Sequence, residues 1–192
     1  MAEKRWKDLL IGCLAAALLA SSVWAGGPPA VGEKIPEFTI PAPKDSSERG
    51  YLGLTFLNRS FRIPELKTEV VILQVFSMYC PYCQADAPHV NALYQLIEKN
   101  EKFKGKIKIL GLGAGNSDFE VATFKKRYEV PFPLFSDRDF RIHKLLGEVR
   151  TPYFIGIRKF PDGSHRVFLS RLGMINSAEA FLTEIIKLAE LK

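Results

Sequence analysis

Two cysteines separated by two residues, Cys80 and Cys83, are the side chains of this chain best suited to carry chemistry. They follow the apolar run Val70–Phe76 and stand where a helical pattern begins, near Tyr82. A thiol at the start of a helix lies close to unpaired backbone N–H groups and to the positive end of the helix dipole, and both favour the thiolate. The thiolate is the attacking species in disulfide exchange, and a second cysteine can resolve the mixed disulfide, so this spacing predicts a redox-active pair.

Other uses of such a cysteine pair fit this chain less well. A four-ligand zinc site needs a further Cys or His pair, which the sequence lacks. Covalent haem attachment needs a histidine directly after the second cysteine, where Gln84 stands. A purely structural disulfide stays open, although a turn from a strand into a helix leaves the pair exposed and electropositive, which favours redox chemistry. We therefore predict no metal and no cofactor.

The first 25 residues have the pattern of a secretory signal peptide. Lys4, Arg5 and Lys7 precede twelve apolar residues at positions 9–20, and small residues stand at the cleavage-determining positions 23 and 25. An uncleaved membrane anchor is the alternative, but twelve apolar residues span a bilayer poorly. We therefore expect export to a bacterial periplasm, with membrane contact only through the N-terminal segment if it is not cleaved.

Cys13 lies inside that apolar stretch, too early to be a lipidated cysteine that ends it. The mature chain is thus predicted to keep only the Cys80/Cys83 pair. An exported protein with one such pair suits a periplasm, where thiol chemistry needs dedicated catalysts.

The charge of the chain is only mildly positive. The net charge of +6 falls to +5 without residues 1–25, because these hold three bases and two acids. Four lysines between positions 102 and 108 are expected to form a solvated approach to a strand. Without aromatic residues between them or a nucleic-acid motif, we predict no nucleic-acid binding.

The order of predicted elements indicates an α/β domain. Residues 26–47 are rich in Pro, Gly and Ala and are predicted to be an extended N-terminal segment with a short strand at 37–40, which leaves 48–192 as the domain. Strands of near-continuous Val, Ile and Leu between helices imply a central sheet covered on both faces. The predicted elements are a strand at 70–76, a helix at 82–99, a strand at 107–112, a helix at 118–128, a short strand near 133–135, a short helix at 140–146, a hairpin of 153–158 with 165–170, and a last helix capped by Asn176.

This pattern resembles the thioredoxin superfamily, and within it the exported TlpA/ResA-like thiol-disulfide oxidoreductases of the redoxin, or AhpC/TSA-like, type. Beyond the Cys-x-x-Cys motif behind a buried strand, four matches carry the resemblance: Pro88 five residues after Cys83, Thr151-Pro152 before the hairpin, an inserted stretch at 107–146, and Asp162-Gly163 in the hairpin turn. The resemblance implies a thioredoxin-like α/β fold, with a central mixed sheet, helices on both faces and a βα insertion before a cis-proline.

The resemblance also implies a role for each residue of the motif. Cys80 attacks a partner disulfide and Cys83 resolves it, which forms a redox-active Cys80–Cys83 disulfide. Pro152, Thr151 and Tyr82 shape the groove that receives an extended substrate segment.

Three positions depart from the thioredoxin pattern or modify it. Gln74 stands where thioredoxins carry a buried Asp, so the usual internal proton acceptor for the resolving thiol is missing. Asp86, three residues after Cys83, matches an acidic residue by which ResA-like proteins tune the pKa of the cysteines. An exposed acid that favours the helix N-terminus is an equally open interpretation of Asp86. Tyr79 replaces the usual Trp before the first cysteine.

The combined prediction is a periplasmic thiol-disulfide oxidoreductase that reduces disulfides of exported proteins, with cytochrome c maturation as one setting. The resemblance implies electrons from a membrane carrier of the DsbD/CcdA type. One alternative is a peroxiredoxin-like thiol peroxidase, favoured by the insertion and by Ser77 but opposed by Leu73, where that motif has proline. A second is an exported copper-binding module that adds His89 or His143 to the two thiolates, which the cysteine spacing opposes.

Overall fold

The computed structural model describes residues 26–191, and its centre is a five-stranded sheet. Along the chain the elements are β1 (Ile40–Pro41), α1 (Ser46–Leu52), β2 (Ser60–Phe61), a 3-10 turn (Ile63–Glu65), β3 (Val70–Phe76), α2 (Pro81–Lys99), β4 (Ile107–Ala114), α3 (Asp118–Arg127), β5 (Leu134–Asp137), α4 (Arg141–Leu145), β6 (Tyr153–Lys159), β7 (His165–Leu172) and α5 (Ala178–Leu188). The predicted signal peptide, with Cys13, lies outside the described residues. Among residues 26–191, none of the helices has the length and apolar character that crossing a bilayer requires.

The sheet is mixed, as the sequence predicts. Its strand order is β5-β4-β3-β6-β7, in which β3, β4 and β5 run parallel to one another. β6 pairs antiparallel with β3, and β7 pairs antiparallel with β6. Every residue of β3 and β4 is buried, because helices and connecting segments cover both faces. This arrangement is the thioredoxin-like α/β fold expected from the sequence.

Two apolar cores lie on opposite faces of the sheet. Successive residues of β3 point to opposite faces, so Ile72 and Phe76 join one core while Val71 and Leu73 join the other. The first core takes its helical residues from α2, α3 and α5, and the second takes them from α1 and α4. Burial of each large aliphatic side chain contributes about 1.5–3 kcal/mol, so both layers hold β3 in place.

Residues 26–47 pack as part of the domain. Ile35 and Ile40 are buried in the second core. The Gly32 N–H donates to the carbonyl of Val167 on β7, and the Val167 N–H donates to the carbonyl of Glu33, both at 2.8 Å. The boundary predicted between residues 47 and 48 falls inside α1, since that helix begins at Ser46.

The cap of the last helix differs from the prediction by one residue. Ser177, not Asn176, caps α5, and its hydroxyl accepts a hydrogen bond from the Ala180 N–H at 3.2 Å. Asn176 instead has a φ of 49°. Asn tolerates this left-handed backbone better than most residues, so it turns the chain just before the helix begins.

One of the four lysines predicted to be solvated is buried. Lys108 is 7% exposed, and its ammonium donates to the carbonyl of Tyr51 and lies 4.5 Å from the centre of the Tyr51 ring. Burial lowers the pKa of Lys108. The sequence prediction failed because the alternation along β4 carries this side chain to the α1 side of the sheet.

Candidate active site

Cys80 caps the N-terminus of α2. β3 ends at Phe76, and a turn closed by the Cys80 N–H donating to the Ser77 carbonyl at 3.1 Å leads into the helix at Pro81. Proline suits the first position of a helix, where no backbone donor is needed. The Cys80 Sγ accepts a hydrogen bond from the Cys83 N–H at 3.3 Å. The strand-turn-helix order thus places this sulfur at the helix N-terminus.

The environment of Cys80 favours its thiolate. Partial burial raises the pKa of this thiol, but hydrogen bonds with the side chains of Thr151 and Cys83 oppose that effect. The backbone N–H groups of Cys83 and Tyr82 act in the same direction, and the pKa of Cys80 is lowered overall. A partly exposed cysteine with a lowered pKa is a reactive nucleophile.

Cys83 has the opposite character. Its side chain is 0% exposed, and burial is the main reason why its pKa is raised to about 12. The hydrogen bond and the charge of Cys80 raise the pKa of Cys83 further, while a backbone hydrogen bond with Ser77 lowers it. Cys80 is therefore the more readily ionised of the two thiols, and Cys83 is the one that keeps its proton.

The loop before β6 completes the site. The Thr151-Pro152 peptide bond is cis, and the Thr151 carbonyl lies 3.3 Å from the Cys80 Sγ. Pro152 is buried, and its carbonyl accepts a hydrogen bond from the Gly173 N–H at 2.9 Å. Tyr82, in the first turn of α2, is 67% exposed. The structure thus brings both cysteines, Thr151, Pro152 and Tyr82 to one edge of the sheet.

Asp86 is buried in the first core, so the interpretation of it as an exposed helix acid is wrong. Its side chain is 0% exposed, and its Oδ1 accepts a hydrogen bond from the Ile175 N–H at 3.1 Å. Burial raises the pKa of Asp86, although the Ile175 N–H and the nearby His89, 3.6 Å away, oppose this. Among the described residues, its Oδ2 has no hydrogen-bond partner. A buried carboxyl group with a spare oxygen and a raised pKa can hold a proton.

Gln74 occupies the middle of β3 and is 4% exposed. It pairs in register with Gly111 on β4 and Phe154 on β6. The alternation of β3 turns it to the same face as Ile72 and Phe76, which is also the face that buries Cys83. An uncharged amide at this place does not accept a proton from the buried thiol.

From the raised pKa of Asp86 we predict how the stability of the fold depends on pH. A carboxyl group whose pKa is higher in the folded state contributes stability that is fully present below its unfolded pKa and is lost as the pH rises through the folded pKa. Asp86→Asn keeps an oxygen for the Ile175 N–H and removes the buried charge. We expect the free energy of unfolding of Asp86→Asn, relative to that of the parent, to increase as the pH rises from 4 to 8, because only the parent loses stability when this carboxyl group ionises.

Urea unfolding at a series of pH values measures this difference. Glu101→Gln, at an exposed acid after α2, serves as the control and should show no such trend. A difference between Asp86→Asn and the parent that is the same at every pH would contradict the assignment of a raised pKa to Asp86.

Two amide side chains that the sequence did not indicate hold the turn before Cys80. Asn116 is 0% exposed, and its Oδ1 accepts a hydrogen bond from the Met78 N–H at 2.8 Å. The Gln84 Nε2 donates to the carbonyl of the same Met78 at 2.7 Å. The backbone N–H and the backbone carbonyl of Met78 are therefore both held by side chains. The one feature of the sequence that could have indicated this role is the position of Asn116, a polar residue between the apolar strand β4 and Ser117, the cap of α3.

The N-terminus of α3 is also attached to this turn. The Tyr79 hydroxyl donates to the Glu120 carboxylate, which also accepts hydrogen bonds from the Ser117 N–H and hydroxyl at 2.7 Å each. The hydrogen bond from Tyr79, followed by those from Ser117, lowers the pKa of Glu120 to about 2. Tyr79, which replaces the usual Trp, is thereby linked to the inserted helix rather than left as a free side chain.

Of the histidines proposed as extra copper ligands, His143 contacts a backbone carbonyl and His89 lies near the Asp86 carboxyl group. The His143 Nε2 lies 2.8 Å from the carbonyl of Val149, and the His89 Nδ1 lies 3.6 Å from the Asp86 Oδ1. Within residues 26–191, no three His, Cys, Asp or Glu side chains form a group that could hold a metal ion. The described structure therefore gives the copper-binding alternative no support.

The fold and the two cysteines define a thioredoxin-like protein with a dithiol site. The chain belongs to the AhpC/TSA family, whose sequence profile matches residues 31–161. It is similar to the thiol-disulfide oxidoreductase ResA of Bacillus thuringiensis subsp. konkukian, with 28% identity over 95 residues that cover 49% of this chain and 51% of that protein. The ResA of Oceanobacillus iheyensis is 22% identical over 157 residues, which cover 81% of this chain and 72% of that protein. The chain thus spans about half the length of the first of these relatives.

Solved structures show the same fold at low sequence identity. A secreted thiol-disulfide isomerase from Corynebacterium glutamicum has a TM-score of 0.58 at 17% identity, covering 82% of this chain and 86% of its own. A secreted disulfide oxidoreductase of Mycobacterium tuberculosis, homologous to E. coli DsbE, has a TM-score of 0.54 at 16% identity. The match covers 78% of this chain and 95% of that chain. At these identities the similarity shows the fold alone.

Proposed function

We propose that the protein is a thiol-disulfide oxidoreductase that works by exchange between its dithiol and a partner disulfide. The observation that carries this proposal is the opposite displacement of two neighbouring pKa values, lowered for Cys80 and raised for Cys83, beside the Thr151-Pro152 loop. An exposed thiolate with a buried thiol next to it suits attack followed by resolution. The names of the ResA relatives support the same activity.

The proposed reaction has two steps. The Cys80 thiolate attacks one sulfur of the partner disulfide, forms a mixed disulfide and releases the other sulfur as a thiolate. Cys80 is then no longer an anion, so the charge that raises the pKa of Cys83 is gone. Cys83 loses its proton and attacks the Cys80 Sγ, and the second partner sulfur leaves. The products are a Cys80–Cys83 disulfide and a reduced partner with two thiols.

The second step needs an acceptor for the Cys83 proton, and we assign this role to Asp86. It stands one helical turn after Cys83 and has an oxygen without a partner among the described residues. Gln74, at the usual place of the acceptor, is neutral. His89, which is half-exposed, lies 3.6 Å from the Asp86 Oδ1.

For the biological setting we propose that the protein is exported, acts in a periplasm and reduces disulfides of other exported proteins. The N-terminal sequence pattern supports export, and two of the solved relatives are described as secreted. A membrane carrier of the DsbD/CcdA type would return electrons to the Cys80–Cys83 disulfide. Apocytochrome c, whose cysteines must be reduced before haem attachment, is one such substrate.

The reduction potential of the Cys80–Cys83 pair tests the direction of this reaction. Equilibration with glutathione buffers, followed by alkylation of free thiols, gives this potential, and Cys83→Ser serves as a control that cannot form the internal disulfide. We expect a value far below the roughly −120 mV of the oxidant DsbA and closer to the roughly −270 mV of thioredoxin. A potential near that of DsbA would contradict a reducing role and indicate an oxidase.

A further inference from the structure

We propose that the outer face of α3 is a docking surface for an extended segment of the disulfide partner, and that it selects a segment with an apolar residue followed by acidic residues. This inference rests on the proposed function and names the kind of partner that Cys80 meets. The surface, here called the α3 face, consists of Phe119, Ala122, Thr123, Lys126 and Arg127. These residues are spaced by three or four along the helix, so they lie on one side of it and form a shallow, open surface.

The α3 face begins at the redox site. Tyr79, directly before Cys80, donates its hydroxyl to Glu120, the neighbour of Phe119. Asn116, two residues before α3 begins, bonds Met78 in the turn that leads to Cys80. A segment whose disulfide reaches the Cys80 Sγ therefore passes close to the first turn of α3.

The first part of the α3 face is apolar and unusually exposed. Phe119 is 78% exposed, and Tyr79 and Tyr82, on either side of Cys80, are 65% and 67% exposed. Large aromatic side chains are favoured as anchors at protein interfaces because they bury much area at a small loss of conformational freedom. Tyr79 and Tyr82 flank Cys80 along the chain, and Phe119 is next to the Glu120 that Tyr79 contacts, so these exposed rings indicate a surface that accepts an apolar side chain of the partner.

The far end of the α3 face carries positive charge. Lys126 and Arg127 are exposed and, within residues 26–191, neither has a carboxylate within salt-bridge distance. The neighbouring Lys125, by contrast, bonds Glu48 at 2.9 Å. The acids of the helix stand at its opposite end, where Glu120 is held by Tyr79. Charge complementarity therefore points to acidic partner residues at the C-terminal end of α3.

The helix also fixes the spacing expected in the partner. From Phe119 to Lys126 and Arg127 the helix rises by about 11–12 Å, at about 1.5 Å per residue. An extended segment covers about 3.3 Å per residue. The acidic residues of the partner should therefore follow its apolar residue by about three or four positions.

Activated peptides test this selectivity directly. The probes are decapeptides with one cysteine, which is activated as a 4-thiopyridyl disulfide, and a leucine beside that cysteine. Four positions further on, each peptide carries the pair Glu-Glu, Gln-Gln or Lys-Lys. Each peptide is made in both chain directions. The full-length chain with Cys13→Ser is reduced, and the released thiopyridone is followed by stopped flow at low salt. 4,4′-Dithiodipyridine, a small neutral disulfide, reports the reactivity of Cys80 without any docking.

We expect the better Glu-Glu peptide to react about tenfold faster than the Lys-Lys peptide, and the ratio to shrink as added salt screens the charges. Lys126→Glu combined with Arg127→Glu should reverse this order, and Phe119→Ala should slow all the peptides. Neither change should alter the rate with 4,4′-dithiodipyridine. Lys187→Glu, at an exposed lysine near the end of α5, is the matched control and should leave the order unchanged.

Equal rates for the three peptides, or an order that survives the double charge reversal, would overturn the docking surface while leaving the proposed exchange activity intact. A chain that fails to react even with 4,4′-dithiodipyridine would instead contradict the exchange activity, and the docking surface with it.

Discussion

Cys80→Ser is expected to reduce thiol-disulfide exchange to the background rate of the buffer, whereas Cys83→Ser should keep the first attack and stop at the mixed disulfide. The thiolate is the nucleophile, and of the two cysteines within residues 26–191 only Cys80 combines partial exposure with a lowered pKa. Cys83 is fully buried and its pKa is about 12, so it does not replace Cys80 as the attacker. Without Cys83, the bond between Cys80 and the partner has no internal thiol to break it.

Thiopyridone release and intact mass measure both outcomes of the cysteine changes, in chains that also carry Cys13→Ser. The Cys83→Ser chain should release one thiopyridone rapidly and keep a stable adduct on Cys80. A Cys80→Ser chain that reacts at the rate of the parent would show that the attacking thiol has been assigned to the wrong residue.

Asn116→Ala is expected to raise the pKa of Cys80 and to slow its alkylation at pH 7 about tenfold, because a tenfold loss of thiolate corresponds to one pKa unit. The Asn116 Oδ1 accepts a hydrogen bond from the Met78 N–H and so fixes the turn before Cys80. That turn places the Cys80 Sγ where it accepts a hydrogen bond from the Cys83 N–H. Without the amide, the Met78 N–H loses a buried partner, at a cost of about 1–3 kcal/mol in folding free energy. The pH dependence of iodoacetamide alkylation gives the pKa of Cys80 in the variant.

Asn91→Ala is a matched control for Asn116→Ala. The Asn91 side chain donates to the carbonyl of Tyr128 at 2.8 Å, so its removal also breaks an amide contact with the backbone, but away from the turn before Cys80. We expect a loss of stability without a change in the alkylation profile. Identical profiles for the two alanine variants and the parent would contradict a positioning role for Asn116.

The features that the sequence predicted well are those fixed by neighbours along the chain. An apolar run followed by a turn and a Cys-Pro pair places Cys80 at the start of α2, because Pro81 suits the first helical position. The alternation of apolar strands and helices likewise indicated a central sheet covered on both faces. The order of the motif, the insertion and Thr151-Pro152 predicted the loop that faces Cys80, and that loop lies there.

The features that the sequence missed depend on contacts between distant residues. Asn116 bonds Met78 across 38 positions, and Asp86 bonds Ile175 across 89. No local pattern distinguishes a helix acid that meets a backbone N–H from one that meets water, so the burial of Asp86 was open until the packing of α5 was known. The burial of Lys108 is of the same kind, since its partner Tyr51 comes from α1.

Membership of the AhpC/TSA family leaves one question for the chemistry of the site, which is whether the second cysteine takes part. In the structure the Cys83 N–H donates a hydrogen bond to the Cys80 Sγ at 3.3 Å, so the second cysteine is in contact with the first. This arrangement favours internal disulfide formation over oxidation of a lone thiolate by peroxide.

The number of thiopyridones released per chain tests this account most directly. The reduced full-length chain with Cys13→Ser is mixed with excess 4,4′-dithiodipyridine, and its mass is recorded after the reaction. If Cys80 attacks and Cys83 resolves, two thiopyridones leave per chain, and the protein loses only two hydrogens as the Cys80–Cys83 disulfide forms. One thiopyridone per chain with a lasting adduct on Cys80 would show that Cys83 does not resolve the mixed disulfide, and would contradict dithiol exchange as the function of this site.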